Sequence, residues 1–305
     1  ARERTSESMQ VWVDRQGNAR PKTDVRHNFV STRVSRDGMR LVDRIGEEGT
    51  NHVWIYDIGR DTLTRVTTEG LNMTCLWGPD GQRVTFNSTA RPGVQAANLF
   101  WKPTDGIGPA ERLTTSEYRQ APLSWSQDGK FLFFIQESLD SGFDIWVLPN
   151  EGDRKPFPFL DSSSNEWYPA ISPDGRWLAY SSDNSGRYEV FVTPFPGSGS
   201  HRKISTQGGG REPVWSRNGR ELFYRIGNMM MVVDIISEPE FTPTNPKMLF
   251  EGKYKLGGWH RSYDITPDGQ QFVMVMAAEQ ASKPMQINVV FNWFEELKRL
   301  VPAEK

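Results

Sequence analysis

Nine residues of types that bind or transform ligands recur at intervals along this chain. Each stands at or just before the start of a segment in which apolar and polar residues alternate. They are Asn72, Gln120, Glu166, Trp167, Tyr168, Arg211, Glu212, His260 and Arg261. The guanidinium groups of Arg211 and Arg261 are suited to clamp a carboxylate. The rings of Trp167 and Tyr168 offer flat surface to a peptide or a sugar. We predict that these nine residues form a ligand-binding site.

The same residues leave a second chemistry open. A histidine such as His260, paired with Glu166, could transfer protons. The sequence has no Gly-x-Ser-x-Gly elbow of a serine hydrolase and no His-x-x-x-His spacing of a zinc site. We therefore predict no catalytic set, no metal ligands and no cofactor, and we keep a metal-assisted lyase or a hydrolase as the alternative. Mutual ion pairing among the charged members of the set is the structural alternative.

The elements that must position these residues follow from a turn sequence that occurs six times. Each copy is a variant of Ser172-Pro173-Asp174-Gly175 and lies between two alternating apolar segments. Asp-Gly or Asn-Gly in this setting predicts a β-hairpin, because glycine accepts the positive φ of a tight turn. The glycines, 43 to 50 residues apart, are Gly38, Gly81, Gly129, Gly175, Gly219 and Gly269.

Each hairpin is followed by a third alternating segment, such as Asp144-Ile145-Trp146-Val147, and in most repeats by a fourth. Four antiparallel strands repeated six times are typical of a β-propeller. We predict an all-β, six-bladed propeller that occupies residues 1–305 as one domain. In such a ring the first strand of each blade lines a central channel, and the nine residues should meet at its mouth.

The two ends of the chain are predicted to complete the ring. The sixth repeat ends after a third strand predicted at 286–291. The strand predicted at 10–14 should pair with this last blade, which removes an exposed strand edge. Trp293, Leu297 and Leu300 have helical spacing and predict a short helix over 292–300.

Composition excludes several classes of protein. The net charge of −2 and the pI of about 6.2 argue against nucleic acid as a partner. The single cysteine, Cys75, excludes an internal disulfide framework. No apolar run approaches the ~20 residues that cross a bilayer, so we predict no membrane insertion. The polar start lacks the apolar segment of a signal peptide, and we take it for a trimmed or mature terminus. We predict a monomer.

The six turns and the third-strand pattern at 144–147 resemble the TolB-like propeller family, a bacterial relative of WD-repeat propellers. A tighter resemblance runs from 187 to 250 and includes Pro213-Val214-Trp215-Ser216 and Glu221-Leu222-Phe223-Tyr224. This stretch is similar to propellers attached C-terminally to bacterial transmembrane serine/threonine kinases. The resemblance implies a binding or sensor role and a periplasmic or extracellular location. It implies no catalytic residues, and the sequence contains neither kinase motifs nor the N-terminal α/β domain of TolB.

The leading prediction is therefore a non-enzymatic propeller that binds a protein, a peptide or a small molecule at the channel mouth. The enzyme described above is one alternative. A scaffold that contacts its partners through the blade loops is another.

Overall fold

The computed structural model describes residues 7–22, 26–47, 50–89, 96–139, 142–197, 199–206, 208–236 and 240–277. Within these ranges, 25 strands form six antiparallel sheets arranged as the blades of a propeller. The chain starts with β1 (Ser8–Asp14) and β2 (Ala19–Pro21). Blade 1 contains β3 (Asn28–Val34), β4 (Arg40–Glu47), β5 (Thr50–Asp57) and β6 (Thr62–Arg65). Blade 2 contains β7 (Leu71–Trp77), β8 (Arg83–Thr89), β9 (Asn98–Pro103) and β10 (Glu111–Arg112). Blade 3 contains β11 (Gln120–Trp125), β12 (Phe131–Ser138), β13 (Gly142–Pro149) and β14 (Phe157–Leu160).

Blade 4 contains β15 (Glu166–Ile171), β16 (Trp177–Ser182), β17 (Glu189–Pro194) and β18 (Arg202–Lys203). Blade 5 contains β19 (Arg211–Trp215), β20 (Glu221–Ile226), β21 (Met229–Ile236), β22 (Thr242–Pro243) and β23 (Lys247–Glu251). Blade 6 begins with β24 (Tyr263–Ile265) and β25 (Gln271–Ala277). Strands follow one another from the axis outward in blades 1 to 4, and the predicted six-bladed propeller is confirmed.

The ring closes through its first strands. First strands of neighbouring blades contact each other in the series β3, β7, β11, β15 and β19, and β24 contacts β3. Blades 5 and 6 share a buried cluster that contains Phe223 and Phe272. The core lies between neighbouring sheets rather than within one sheet. Val190 and Val192 of blade 4, for example, form one buried cluster with Leu222 and Tyr224 of blade 5. Each blade therefore buries its apolar faces only when both neighbours are present.

The repeated turn is shaped by hydrogen bonds that explain its sequence. In Ser172–Gly175, the Ser172 hydroxyl donates to Asp174 Oδ1 at 2.5 Å and accepts the Trp177 amide at 2.9 Å. Gly175 adopts a φ of +74°, and its amide donates to the Ser172 carbonyl at 2.9 Å. Serine, aspartate and glycine thus each have a structural task in the turn.

The N-terminal strand closes the ring in a different position from the one predicted. Strand β1 pairs with β25 from Ser8–Ala277 to Asp14–Gln271, and β2 pairs with the outer side of β1. Closure by the N-terminal strand is confirmed. The third position of blade 6 is thereby held by β1, because β24 already occupies the other edge of β25. The strand predicted there at 286–291 and the helix predicted at 292–300 lie outside the described residues.

Candidate functional site

A cavity of about 340 Å³ occupies the central channel at the end that carries the six repeated turns. All six blades contribute to its wall, through the last residues of their first strands and the first residues of the turns. The lining includes Leu76, Ser124, Ala170, Val214 and Asp264, one from each of five blades. A cavity of this volume falls at the lower end of the range found for small-ligand sites.

Three tryptophans form apolar wall at this end of the channel. Trp77, Trp125 and Trp215 each stand immediately before a turn. Their indole nitrogens point to neighbouring blades: Trp77 donates to the Arg33 carbonyl at 3.0 Å, and Trp215 donates to the Ala170 carbonyl at 2.9 Å. With these nitrogens bonded to the protein, the rings present apolar surface to the cavity.

Arg33 gives the cavity its unusual feature, a buried guanidinium with unused donors. Its side chain is 3% exposed. Nη1 donates to the carbonyls of Thr32 at 2.6 Å and Arg261 at 3.0 Å, whereas Nε and Nη2 have no partner within the described residues. Burial, with a smaller effect of Arg261, lowers the pKa of Arg33 to about 10, so the group stays charged at neutral pH.

Four further charged residues line the same cavity. Arg261 donates to the Pro213 carbonyl at 3.5 Å, and its Nε is buried without a partner in the described part of the chain. Asp264 accepts the Val34 amide at 2.9 Å and forms no ion pair within 4 Å with a described arginine or lysine. Arg36 and Arg217 lie at the turn end of the wall. The channel therefore carries an excess of positive charge.

The opposite end of the channel, where the binding site was predicted, is covered by the segment 252–262 between β23 and β24. Tyr168 Oη of blade 4 donates to the Gly258 carbonyl at 2.5 Å, and His260 Nε2 bonds the Val30 carbonyl of blade 1 at 2.8 Å. Gly257 donates its amide to Glu212 Oε1 of blade 5 at 2.9 Å. This segment crosses the ring axis, because it leads into blade 6 and is bonded to blades 1, 4 and 5. We call residues 252–262 the cap segment.

Aromatic contacts extend the cap segment to the far side of the ring. The Trp259 ring lies 4.7 Å from that of Phe143 in blade 3 and 5.9 Å from that of Trp167 in blade 4. The Arg119 guanidinium lies 5.5 Å from the Trp259 ring centre. Trp167 and Tyr168, predicted to offer open surface, are therefore covered by the chain itself.

Glu212 is the main polar anchor of the cap segment. Its side chain is fully buried, and Oε2 accepts both the amide and the hydroxyl of Ser262, each at 2.8 Å. The residue has a φ of +58° and lies at a register shift between Arg211 and Val214. The same irregularity occurs at Tyr168, with a φ of +55°. These bulges turn the side chains toward the cap segment, as bulges commonly do near sites.

Asn72, Gln120 and Glu166 have a shared structural position. Each begins a blade and bonds a hydroxyl at the end of the preceding blade. Asn72 Nδ2 donates to Thr67 Oγ1 at 3.1 Å, and Gln120 Oε1 accepts from Thr114 Oγ1 at 2.5 Å. All three are less than 4% exposed and tie successive blades together.

Glu166 differs from its two counterparts because it can ionise, and half of its carboxylate has no hydrogen bond among the described residues. Oε1 accepts the Ser162 hydroxyl at 2.5 Å, while Oε2 is buried without a partner among the described residues. Burial, together with Asp144 and Asp183, raises the pKa of Glu166 to about 7. The Glu166 site thus favours the protonated acid in the folded protein.

The structure does not bring Arg211 and Arg261 to one cavity. Arg211 is exposed, lies 3.9 Å from the ring centre of Tyr188, and lines a separate cavity of about 490 Å³ beside Gly208 and Gly227. Of the nine predicted residues, Arg261 is the one that lines the central cavity. Sequence reasoning missed Arg33, which takes the place expected for Arg211. The available signal was its charge, at a position where blades 2 to 5 have Leu76, Ser124, Ala170 and Val214.

The proposed acid–base pair is not formed. His260 belongs to the cap segment and bonds blade 1, whereas Glu166 of blade 4 bonds Ser162 at the end of blade 3. Burial, followed by the charges of Arg44 and Arg33, lowers the pKa of His260 to about 3. Such an imidazole is a poor base at neutral pH. Within the described ranges, no group of three or more His, Cys, Asp and Glu side chains converges as metal ligands do. No helix in the described part of the chain could cross a membrane.

Comparison with known proteins agrees with the fold. A solved structure assigned as TolB of Agrobacterium tumefaciens superposes with a TM-score of 0.68 at 20% identity, covering 88% of this chain and 97% of that one. TolB of Acinetobacter baumannii gives a TM-score of 0.61 at 15% identity, covering 89% of this chain and 64% of that one. At these identities the similarity concerns the fold alone.

Sequence comparison gives the family. An uncharacterized protein of Agrobacterium fabrum is 26% identical over 159 residues, which cover 48% of this chain and 52% of that protein. The chain thus spans about half the length of this curated relative. The model of the TolB beta propeller domain matches residues 6–219, more than two thirds of the sequence. The chain therefore belongs to the TolB β-propeller domain family.

Proposed function

We propose that this protein is a non-enzymatic binding propeller that takes up a protein segment, a peptide or a small molecule in its central channel. One observation carries the proposal: a cavity of about 340 Å³ is lined by all six blades at the turn end of the channel. The cap segment covers the other end. The ligand therefore enters from the turn side, not from the side predicted from the sequence.

The finer parts of the proposal rest on family resemblance. Membership of the TolB propeller family supports a role in binding other proteins. The similarity to propellers of transmembrane kinases supports a sensor domain located outside the cytoplasmic membrane. We propose that the protein acts as a monomer in the periplasm or the extracellular space, with residues 1–305 as one domain.

The residues that an enzyme would need support binding rather than catalysis. His260 and Glu166 are engaged in different blades, and His260 has a pKa far below the range of a base that works at neutral pH. Cys75 is buried in the core between blades 1 and 2, and burial raises the pKa of its thiol to about 12. A thiol in this state is not a nucleophile.

A substitution that fills the channel tests the proposal. Ser124 lines the cavity and is part-buried, so Ser124→Tyr places a ring inside the channel without replacing a core residue. The matched control is Thr64→Tyr, because Thr64 is exposed on β6 at the outer edge of blade 1. Peptides selected against the wild-type protein from a random 12-residue library serve as probes, and calorimetry gives their Kd.

We expect Ser124→Tyr to raise the Kd of the selected peptides at least tenfold and Thr64→Tyr to leave it unchanged. Equal binding by both variants would show that peptides contact the blade loops, as in the scaffold alternative. Thermal unfolding of both variants checks that the fold is intact.

A further inference from the structure

We infer that Arg33 and Arg261 form a carboxylate-binding site inside the central channel. This inference rests on the proposed function, because it names the chemical group that the channel ligand carries. The ligand is a peptide or small molecule with one carboxylate next to an apolar body.

Arg33 is the central element of the site. A buried charge is normally paired or fully hydrogen-bonded, because removing it from water is unfavourable. Arg33 is 3% exposed, lines the cavity and satisfies only Nη1 among the described residues, leaving Nε and Nη2 without partners. These two nitrogens lie on the same edge of the guanidinium, which is the edge that binds a carboxylate through two parallel hydrogen bonds.

Arg261 is held beside Arg33 despite its like charge. The Arg261 carbonyl accepts a hydrogen bond from Arg33 Nη1 at 3.0 Å, which holds the Arg33 guanidinium against the backbone of Arg261. Burial and then the like charge of Arg261 lower the pKa of Arg33, whereas the carboxylates of Asp264 and Glu212 act in the opposite direction. The Nε of Arg261 is also buried and unused in the described structure. An anion between them relieves the repulsion of the two like charges.

Asp264 explains why a carboxylate fits better than a dianion such as phosphate. Asp264 lines the same cavity and is only 8% exposed. Its negative charge offsets one of the two arginines of the site, and the buried carboxylate of Glu212 also acts on Arg33 from outside the lining. One carboxylate therefore compensates the remaining positive charge of the lining, whereas a doubly charged phosphate brings more negative charge than the lining can compensate.

The wall beside the arginines indicates what the carboxylate is attached to. Trp77 and Trp215 lie on it with Ile171 and Ile265. Their surfaces favour an apolar side chain next to the carboxylate. The C-terminal residue of a peptide has this chemistry, and an acidic side chain followed by an apolar residue also has it.

The test compares probes that differ in one charge. N-acetyl-Leu-Leu with a free carboxylate is compared with the same compound as an amide, and N-acetyl-Glu-Leu-amide supplies a side-chain carboxylate instead. Binding of each to the full chain is measured by calorimetry. We expect the free acid or the glutamyl probe to bind at least tenfold more tightly than the Leu-Leu amide, and the stronger of the two identifies the source of the carboxylate. Inorganic phosphate should bind more weakly than the stronger probe.

Matched variants locate the site. Arg33→Gln and Arg261→Gln should each reduce the preference for the carboxylate over the amide at least tenfold. Arg211→Gln should leave it unchanged, because Arg211 lines the other cavity. Since Arg33 is buried, its variant could fail to fold, whereas the part-buried Arg261 gives an independent measurement.

The inference is overturned if acid and amide bind equally, if neither acid probe binds, or if the preference survives in both channel variants. Failure of the proposed function looks different. In that case the library-selected peptides bind Ser124→Tyr as well as they bind the wild type. If Ser124→Tyr no longer binds those peptides while the wild type binds the acid and amide probes equally, the proposal of channel binding is supported and the carboxylate site is refuted.

Discussion

Replacing Glu212 by glutamine should destabilise the protein strongly, because this one carboxylate holds the cap segment. Glu212 is fully buried and accepts three hydrogen bonds, from the Gly257 amide and from the amide and hydroxyl of Ser262, at 2.8 to 2.9 Å. Glutamine has a single acceptor oxygen. Its NH2 group must therefore face a backbone N–H at Gly257 or at Ser262.

The size of the effect follows from these contacts. A hydrogen bond to a charged acceptor contributes about 1.5–3 kcal/mol, and a buried donor left without a partner is comparably unfavourable. Glu212→Gln loses one or two such bonds and keeps the others in weaker form. We expect a loss of about 2–4 kcal/mol in the free energy of unfolding, which for a domain of this size lowers Tm by about 4–16 °C.

Urea denaturation followed by circular dichroism measures this loss. The matched control is Glu137→Gln, which removes a carboxylate that is 40% exposed and 3.7 Å from Arg119. An exposed pair of this kind contributes less than about 1 kcal/mol. A loss below 1 kcal/mol in Glu212→Gln would refute the idea that this carboxylate anchors the cap segment.

Three further predictions concern pH, ring closure and the turns. Burial raises the pKa of Glu166 from 4.5 to about 7, so the contribution of Glu166 to stability is greatest below pH 4.5 and is lost as pH rises through about 7. The resulting difference in the free energy of unfolding is at most about 3 kcal/mol. Urea unfolding from pH 4 to 8 should therefore give a flatter dependence of stability on pH for Glu166→Gln than for the wild type. The same dependence in both proteins would contradict a raised pKa of Glu166. Val13 of β1 is fully buried against Phe272. Val13→Asp should therefore lower the free energy of unfolding by about 4 kcal/mol or more and abolish the cooperative thermal transition. A native-like transition in this variant would show that β1 does not close the ring. Gly175 has a φ of +74° with open space where a Cβ would lie. Gly175→Ala should therefore lower the free energy of unfolding, measured in urea, by about 1 kcal/mol, because alanine is strained at this φ. An unchanged free energy of unfolding would contradict strain at the turn.

The fold could be predicted from the sequence because its information is local and repeated. Each hairpin depends on a four-residue turn whose serine, aspartate and glycine act within that turn, as Ser172 and Gly175 do. The alternation of apolar residues on either side fixes which faces are buried. Ring closure by β1 was predictable for the same reason, since a strand remained without a blade. Its exact place was not, because the pairing of β1 with β25 joins residues more than 250 positions apart.

The site was harder to predict because it depends on contacts across the ring. Aligning the repeats identified positions that begin each blade, but the cap segment that covers them has no periodic pattern. Trp259 contacts Phe143 and Trp167 on the opposite side of the axis, and no feature of its local sequence indicates this. Arg33 lies two residues before a turn and looks like an ordinary strand charge. Its isolation inside the channel becomes visible only when all six first strands are placed together.

The most direct measurement is the position of a bound peptide. A crystal structure of the wild-type protein with a library-selected peptide shows whether the ligand lies in the channel. We predict that the peptide enters between the turns and contacts Ser124 and Trp215, with a carboxylate at Arg33. A peptide bound on the blade loops, or over the cap segment beside Trp259, would contradict the proposed function.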